Sequence, residues 1–161
     1  MDASSPAIVG SPLPRPAKER DLPQIAAIEE STYPSPWPES FFRRCLEAGY
    51  DIWVISSSDQ VEAYAVMSIV GGVGHLMNIC VHSSVRREGL GRIMLRHLLL
   101  LVHERRCGLF LEVRKSNHAA QSLYREGGLE ILGFRKDYYG SVGKREDAVI
   151  MALPLGSTRH L

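Results

Sequence analysis

Long apolar runs are missing from this 161-residue chain: Leu98 to Val102, for instance, is bounded by His97 and His103 and falls far short of the roughly 18 to 20 residues that span a bilayer. The sequence predicts no membrane crossing. Cysteine is scarce too: Cys45, Cys80 and Cys107 include no CxxC pair, which excludes a zinc knuckle or a disulfide framework and fits a reducing cytoplasm. Nor is there an excess of charge of one sign. Nineteen Lys and Arg against eighteen Asp and Glu leave a net +1, too balanced for a protein that grips nucleic acid through a field of phosphate contacts. Residues 1–14 lack the basic start and apolar middle of a signal peptide and read as a flexible lead-in. Residues 156–161 read as a short tail, and no internal repeat is visible.

What remains has the composition of one domain, residues 15–155, with 45% hydrophobic and 23% charged residues over the whole chain. Asp21-Leu22-Pro23-Gln24 carries the signature of a capping box with proline in the first turn, predicting a helix to about Thr32. Tyr33-Pro34-Ser35-Pro36-Trp37-Pro38 stiffens the next loop and lets Pro38 open a second helix to about Gly49. Ile52–Ile55 and Val61–Val70, on either side of Ser57-Ser58-Asp59-Gln60, predict a hairpin. Gly71-Gly72-Val73-Gly74 leads into a further strand, about His75 to His82. From Leu90 to Arg106 the period becomes helical, with Leu95, Leu98, Leu99 and Val102 on one face. A buried strand at Leu109–Val113 and a helix capped by Ser116 or Asn117 come next. Two last strands, about Glu130–Lys136 and Asp147–Leu153, flank a polar loop holding Tyr138, Tyr139, Gly140 and Gly143. With a short strand near Arg15–Ala17, the predicted class is α/β (α+β), a mixed central sheet flanked by helices on both faces.

Arg86-Arg87-Glu88-Gly89-Leu90-Gly91-Arg92 joins a strand to the long helix. Its two glycines let backbone approach a ligand closely, and the helix start turns unpaired N–H groups toward it. Arg86, Arg87 and Arg92 add cationic charge suited to a diphosphate; a surface turn with chance arginines is the bland alternative. A dinucleotide fingerprint fails because Met94 stands where a small residue is needed, and because seven residues, His82 to Glu88, separate strand from glycines. A P-loop fails because Gly143-Lys144 is followed by Arg145.

The glycine loop resembles the pyrophosphate loop of the GCN5-related N-acetyltransferases (GNAT). Asn78-Ile79-Cys80-Val81, Leu111 to Asn117, Leu123-Tyr124, Asp137-Tyr138-Tyr139 and Arg145 to Pro154 extend the resemblance over roughly Arg15 to Leu155, toward the ribosomal-protein alanine N-acetyltransferases of that family. It implies the GNAT fold and acetyl-CoA as co-substrate, without a metal. It also implies transfer of acetyl in a ternary complex to the N-terminal alanine of the eighteenth small-subunit ribosomal protein, by a monomeric enzyme of the bacterial cytoplasm. Two readings stay open beside it: a lysine side chain or small-molecule amine as acceptor, and a non-catalytic CoA-binding module.

The same resemblance implies that backbone groups of Ile79, Cys80 and Val81 pair with the pantetheine arm like an added strand. Arg87, Glu88, Gly89, Leu90, Gly91 and Arg92 would hold the pyrophosphate, and Asn117 would make a further cofactor contact beside its role as a helix cap. Glu112 matches the family's general base and Tyr124 its general acid; without the resemblance they read as a structural ion pair and a core aromatic. An attacking amine must lose a proton and a departing thiolate must gain one. An α-amine with pKa near 8 is already neutral in roughly a tenth of molecules at pH 7, so a carboxylate acting through water suffices. A phenol near 10 can protonate a thiolate whose thiol is near 8.5 only if its acidity is ordinary or strengthened.

Trp37, Tyr138 and Tyr139 are flat apolar surfaces with polar tips, suited to a peptide end or simply to packing. Glu146 and Asp147 could attract a cationic amine or lie in a solvated turn. His75 and His82, or His97 and His103, are wrongly spaced for a shared metal and read as surface or core residues, and no histidine is placed by sequence to activate Cys80 as a nucleophile. One departure from the family is Gly127-Gly128-Leu129, which stands where Leu-Gly-Phe is usual, that triplet appearing instead at Leu132-Gly133-Phe134. Leu129 is expected to take the aromatic's place.

Overall fold

The computed structural model describes residues 12–141 and 143–154, so most of the expected lead-in and all of the expected tail lie outside the described residues. Within them lie seven strands: β1 (Arg15–Pro16), β2 (Asp51–Ser57), β3 (Gln60–Val70), β4 (Val73–Val81), β5 (Gly108–Arg114), β6 (Glu130–Ser141) and β7 (Lys144–Leu153). They form one sheet in the order β1-β2-β3-β4-β5-β7-β6. Every described pairing is antiparallel except β4 with β5, and these two are joined through α3 (Leu90–Glu104) as a parallel crossover requires.

Helices α1 (Leu22–Thr32) and α2 (Glu39–Glu47) cover one face; α3 and α4 (His118–Glu126) cover the other. Leu22, Ile25, Ile28, Phe42 and Cys45 pack on Ile52, Val54, Tyr64, Val66 and Cys80. On the far face Met94, Leu95, Leu98 and Val102 pack on Ala63, Ala65, Met67, Leu76 and Leu111. The mixed sheet with helices on both sides is as expected. No helix among the described residues is long and apolar enough to cross a membrane.

Several local expectations are corrected. Asp21 does stand at the start of α1, but its side chain does not cap it; the carboxylate turns back to the Lys18 N–H at 2.7 Å and the Arg15 guanidinium at 2.8 and 2.9 Å, tying β1 to the helix. Asn117 rather than Ser116 caps α4, accepting from the Ala120 N–H at 3.1 Å. The polar loop after Lys136 is mostly strand: β6 runs on through Tyr138 and Tyr139 to Ser141, past an irregularity between Arg135 and Tyr139 where Asp137 has φ 53°. Leu129 is 2% exposed and in the core, whereas Phe134 is 63% exposed.

Candidate active site

The register of the sheet opens a cleft in its centre. β4 pairs with β5 only from Val73↔Gly108 to Leu76↔Leu111, whereas β3 stays paired with β4 to Val81 and β7 with β5 to Arg114. The extra residue that bends β4 away is Met77: Met67 faces Leu76, and the adjacent Val66 faces Asn78, a bulge of the kind that re-aims a strand. Past it the two halves of the sheet splay around a cleft of about 560 Å³, whose lining includes Trp37, His75, Ile79, Cys80, Val81, Gly91, Glu112, Asn117, Tyr124, Tyr138 and Tyr139.

The free edge of β4 has a defined polarity. His82 N–H donates to Glu62 O at 2.8 Å, and alternation along an antiparallel ladder then turns the N–H and C=O of Ile79 and Val81 into the gap and those of Cys80 toward β3. The expected three-residue backbone contact thus narrows to Ile79 and Val81, with Cys80 contributing its buried side chain. Val81 O accepts from Arg86 Nε at 3.2 Å, and Ile79 O faces the Tyr33 hydroxyl at 3.5 Å.

The glycine loop lies at one end of this edge. Arg87 and Gly89 both have positive φ, 68° and 82°, and Gly89 stands at the start of α3, where the first N–H groups lack intrahelical acceptors. At Gly91 an added Cβ would come no closer than 3.5 Å to Leu123 and 3.8 Å to Val81. Packing therefore does not demand glycine there; its bareness widens the cleft. A bare helix start beside a strand edge with free amides fits acetyl-CoA, a diphosphate on a peptide-like arm. The arginines are less available than the sequence suggests. Arg86 is tied to Val81 O and to Thr32 Oγ1, and Arg92 pairs with Glu126.

Glu112 and Tyr124 approach the cleft from opposite faces of the sheet. Glu112 follows Phe110 on the face away from the α3 core, its side chain 7% exposed. Its Oε2 lies 2.7 Å from His75 Nε2 and its Oε1 lies 3.8 Å from Arg135 Nη1. Tyr124 is buried in the α3 and α4 core, and that burial, reinforced by Tyr139 and Cys80, raises its phenol well above the ordinary 10. The acidity that outright proton transfer to a thiolate calls for is therefore not met. The hydroxyl keeps its proton and can serve as a hydrogen-bond donor.

Of the three aromatics expected at the acceptor end, all line the cleft. Trp37 also packs edge-on against Phe41 at 4.6 Å, so its packing role is real as well. Tyr138 and Tyr139 stand 4.9 Å apart, under Arg135 and Arg114 respectively. Burial, Tyr138 and Glu112 push the Tyr139 phenol up to about 12. Glu146 and Asp147 are already engaged. Glu146 accepts from Ser116 N–H at 2.7 Å and from Arg114 at 3.3 Å, its carboxyl held below the usual range chiefly by Ser116. Asp147 accepts from Asp137 N–H at 3.0 Å.

Two site residues escape detection by sequence. His75 sits beside Phe110 in the parallel register, a relation invisible without knowing that β4 pairs β5. Glu29 is 2% exposed and accepts from Trp37 N–H at 3.0 Å, Asn78 Nδ2 at 2.8 Å and the Tyr64 hydroxyl. An acid beside Glu30 in the α1 pattern gives no sign by itself that it turns inward.

Comparison with known proteins agrees with this geometry. The model of the acetyltransferase (GNAT) family matches residues 22–128. A [ribosomal protein bS18]-alanine N-acetyltransferase of Escherichia coli strain K12 is 37% identical over 136 residues, covering 84% of this chain and 92% of the relative. A protein of Bacillus subtilis strain 168 described as a putative enzyme of the same kind is 36% identical over 134 residues, covering 81% and 87%. The crystal structure of the E. coli ribosomal-protein-S18-alanine N-acetyltransferase superposes with a TM-score of 0.84 at 33% identity, covering 92% of this chain and 97% of that one.

Proposed function

The chain belongs to the acetyltransferase (GNAT) family and is an acetyl-CoA-dependent N-acetyltransferase, and from that premise we propose that it acetylates the N-terminal α-amine of an alanine on ribosomal protein bS18 by direct transfer. The observation that carries this reading is the splayed β4–β5 pair. It gives one ligand a strand edge to lie along and opens both faces of the sheet to a second.

Acetyl-CoA supplies the acetyl group as a thioester. The N–H groups of Ile79 and Val81 hold an extended amide arm, and the Arg87–Arg92 loop, including Glu88 and Leu90, holds a diphosphate at the start of α3, with Asn117 on the same wall. Trp37, Tyr138 and Tyr139 seat the peptide end. Glu112 takes a proton from the amine, directly or through one water, and because an α-amine is far less basic than a lysine, a carboxylate is base enough. Tyr124 offers its O–H to the departing sulfur. The acceptor is a protein N-terminus, and the enzyme works as a single copy in the bacterial cytoplasm without membrane or nucleic acid.

The test is CoA release with acetyl-CoA and three matched peptides: free N-terminal alanine, blocked N-terminus with an internal lysine, and neither. Turnover confined to the free alanine is expected; turnover with the lysine peptide overturns the acceptor and leaves the acetyl chemistry.

A further inference from the structure

His75 and Phe110 are neighbours in the only four-residue stretch where β4 and β5 pair among the described residues, and their rings stack at 4.3 Å with planes 8° apart. The stack holds the imidazole on the same face as Glu112, two residues beyond Phe110, with Nε2 2.7 Å from Glu112 Oε2. An ionised carboxylate only accepts, so this bond uses the Nε2–H tautomer. The other charged and titratable groups around the pair are Arg135, 3.8 Å from Oε1, and beyond it Tyr138, Tyr139 and Arg114. Arg135 is too distant for a hydrogen bond, so among the described residues one oxygen of Glu112 is hydrogen-bonded and the other is not.

We propose that His75 is the positioning residue of Glu112. Its Nε2–H fixes Oε2 and thereby presents Oε1 as the oxygen that takes the amine proton. The inference rests on the reading of Glu112 as the base. A glutamate side chain on a β-strand has several rotamers open to it, and a base held in one geometry transfers protons more effectively than one that wanders.

The test is a double-mutant cycle on the full chain, read by kcat and KM with acetyl-CoA and the free-alanine peptide. His75→Phe keeps a ring to stack on Phe110 and removes the donor; His75→Gln restores an N–H at similar reach. His75→Phe is expected to lower kcat about tenfold with KM for acetyl-CoA within twofold, as for loss of a hydrogen bond to a charged group, and His75→Gln to recover most of it. In the Glu112→Gln background His75→Phe should cost nothing more, since the two act as a unit. Wild-type kcat in His75→Phe, equal losses in the Phe and Gln variants, or a full tenfold loss repeated without Glu112 would each overturn the proposal. Should thermal melts show that His75→Phe does not fold, His75→Ala takes its place in the cycle. An undiminished Glu112→Gln enzyme would remove the base itself, a result distinct from a slow Glu112→Gln beside an unaffected His75→Phe.

Discussion

Leu76 and Leu111 are the last residues at which β4 and β5 pair with each other, and beyond them the two strands part around a gap whose wall includes Gly91. A Cβ at Gly91 meets only ordinary contacts, 3.5 Å to Leu123 and 3.8 Å to Val81, and alanine favours a helix over glycine. Gly91→Ala is therefore expected to fold with an unchanged or slightly raised Tm. The methyl also intrudes on the space where an arm lying along Ile79 and Val81 must pass. A rise in KM for acetyl-CoA of about tenfold, the scale set by loss of ~1.4 kcal/mol, is expected beside that undiminished Tm. Kinetics at saturating peptide and a melting curve read the two quantities.

Tyr124 gives a prediction whose sign comes from burial. Because its phenol is raised above 10, it stays protonated through the whole range where the protein can be assayed, so kcat should show no Tyr124-linked decline from pH 7 to pH 10. Tyr124→Phe removes the donor without removing the ring from the core. A kcat lower by about tenfold or somewhat more, the scale for loss of a hydrogen bond to a charged sulfur, is expected with KM for acetyl-CoA changed by less than threefold. A pH–rate profile of both proteins checks this.

Glu29 ties α1 to the proline-rich loop and to two strands, through Trp37, Asn78 and Tyr64. Three donors suit a carboxylate. In Glu29→Gln an amide N–H must face at least one of them, leaving buried groups unsatisfied. A loss of about 1–3 kcal/mol of stability is expected, together with a raised KM for peptide because Trp37 loses its anchor. Urea unfolding gives the first and steady-state kinetics the second.

The elements of the fold are legible in the sequence because their signals are local. The Leu95, Leu98, Leu99, Val102 stripe is set by a helical period, and Gly71 and Gly72, at φ 58° and 76°, mark a turn that few other residues make easily. Glu112 and Tyr124 are reached through motif resemblance, and the same signal points to β4. Whatever depends on register stays hidden. Neither the Met77 bulge, nor the free N–H groups of Ile79 and Val81 with Cys80 turned away, nor the meeting of His75 with Glu112 can be read from any spacing along the chain. Tyr138 and Tyr139 resemble loop residues because Asp137 and Gly140 interrupt the alternation, yet β7 pairs Tyr139 with Glu146 across that interruption and keeps the strand going.

A last prediction concerns a pair remote from the cleft. Trp53 on β2 and His97 on α3 meet edge to face at 4.1 Å, and Trp53 Nε1 and His97 Nε2 are both shielded from solvent with no hydrogen-bond partner among the described residues. Desolvation lowers the His97 pKa below 6.5, against the upward pull of Glu104 and Asp51. The folded protein therefore holds this imidazole neutral under conditions in which the unfolded chain protonates it. Above about pH 6.5 both states bind no proton there and stability is unaffected; as pH falls through 6.5 toward the lowered folded value, the unfolded state gains a proton first and stability declines. His97→Leu removes the titrating group while keeping an apolar side chain against Trp53. Between pH 7.5 and pH 5 the urea midpoint of the wild type should fall by more than that of His97→Leu, and equal declines would show that acid sensitivity in this window comes from elsewhere.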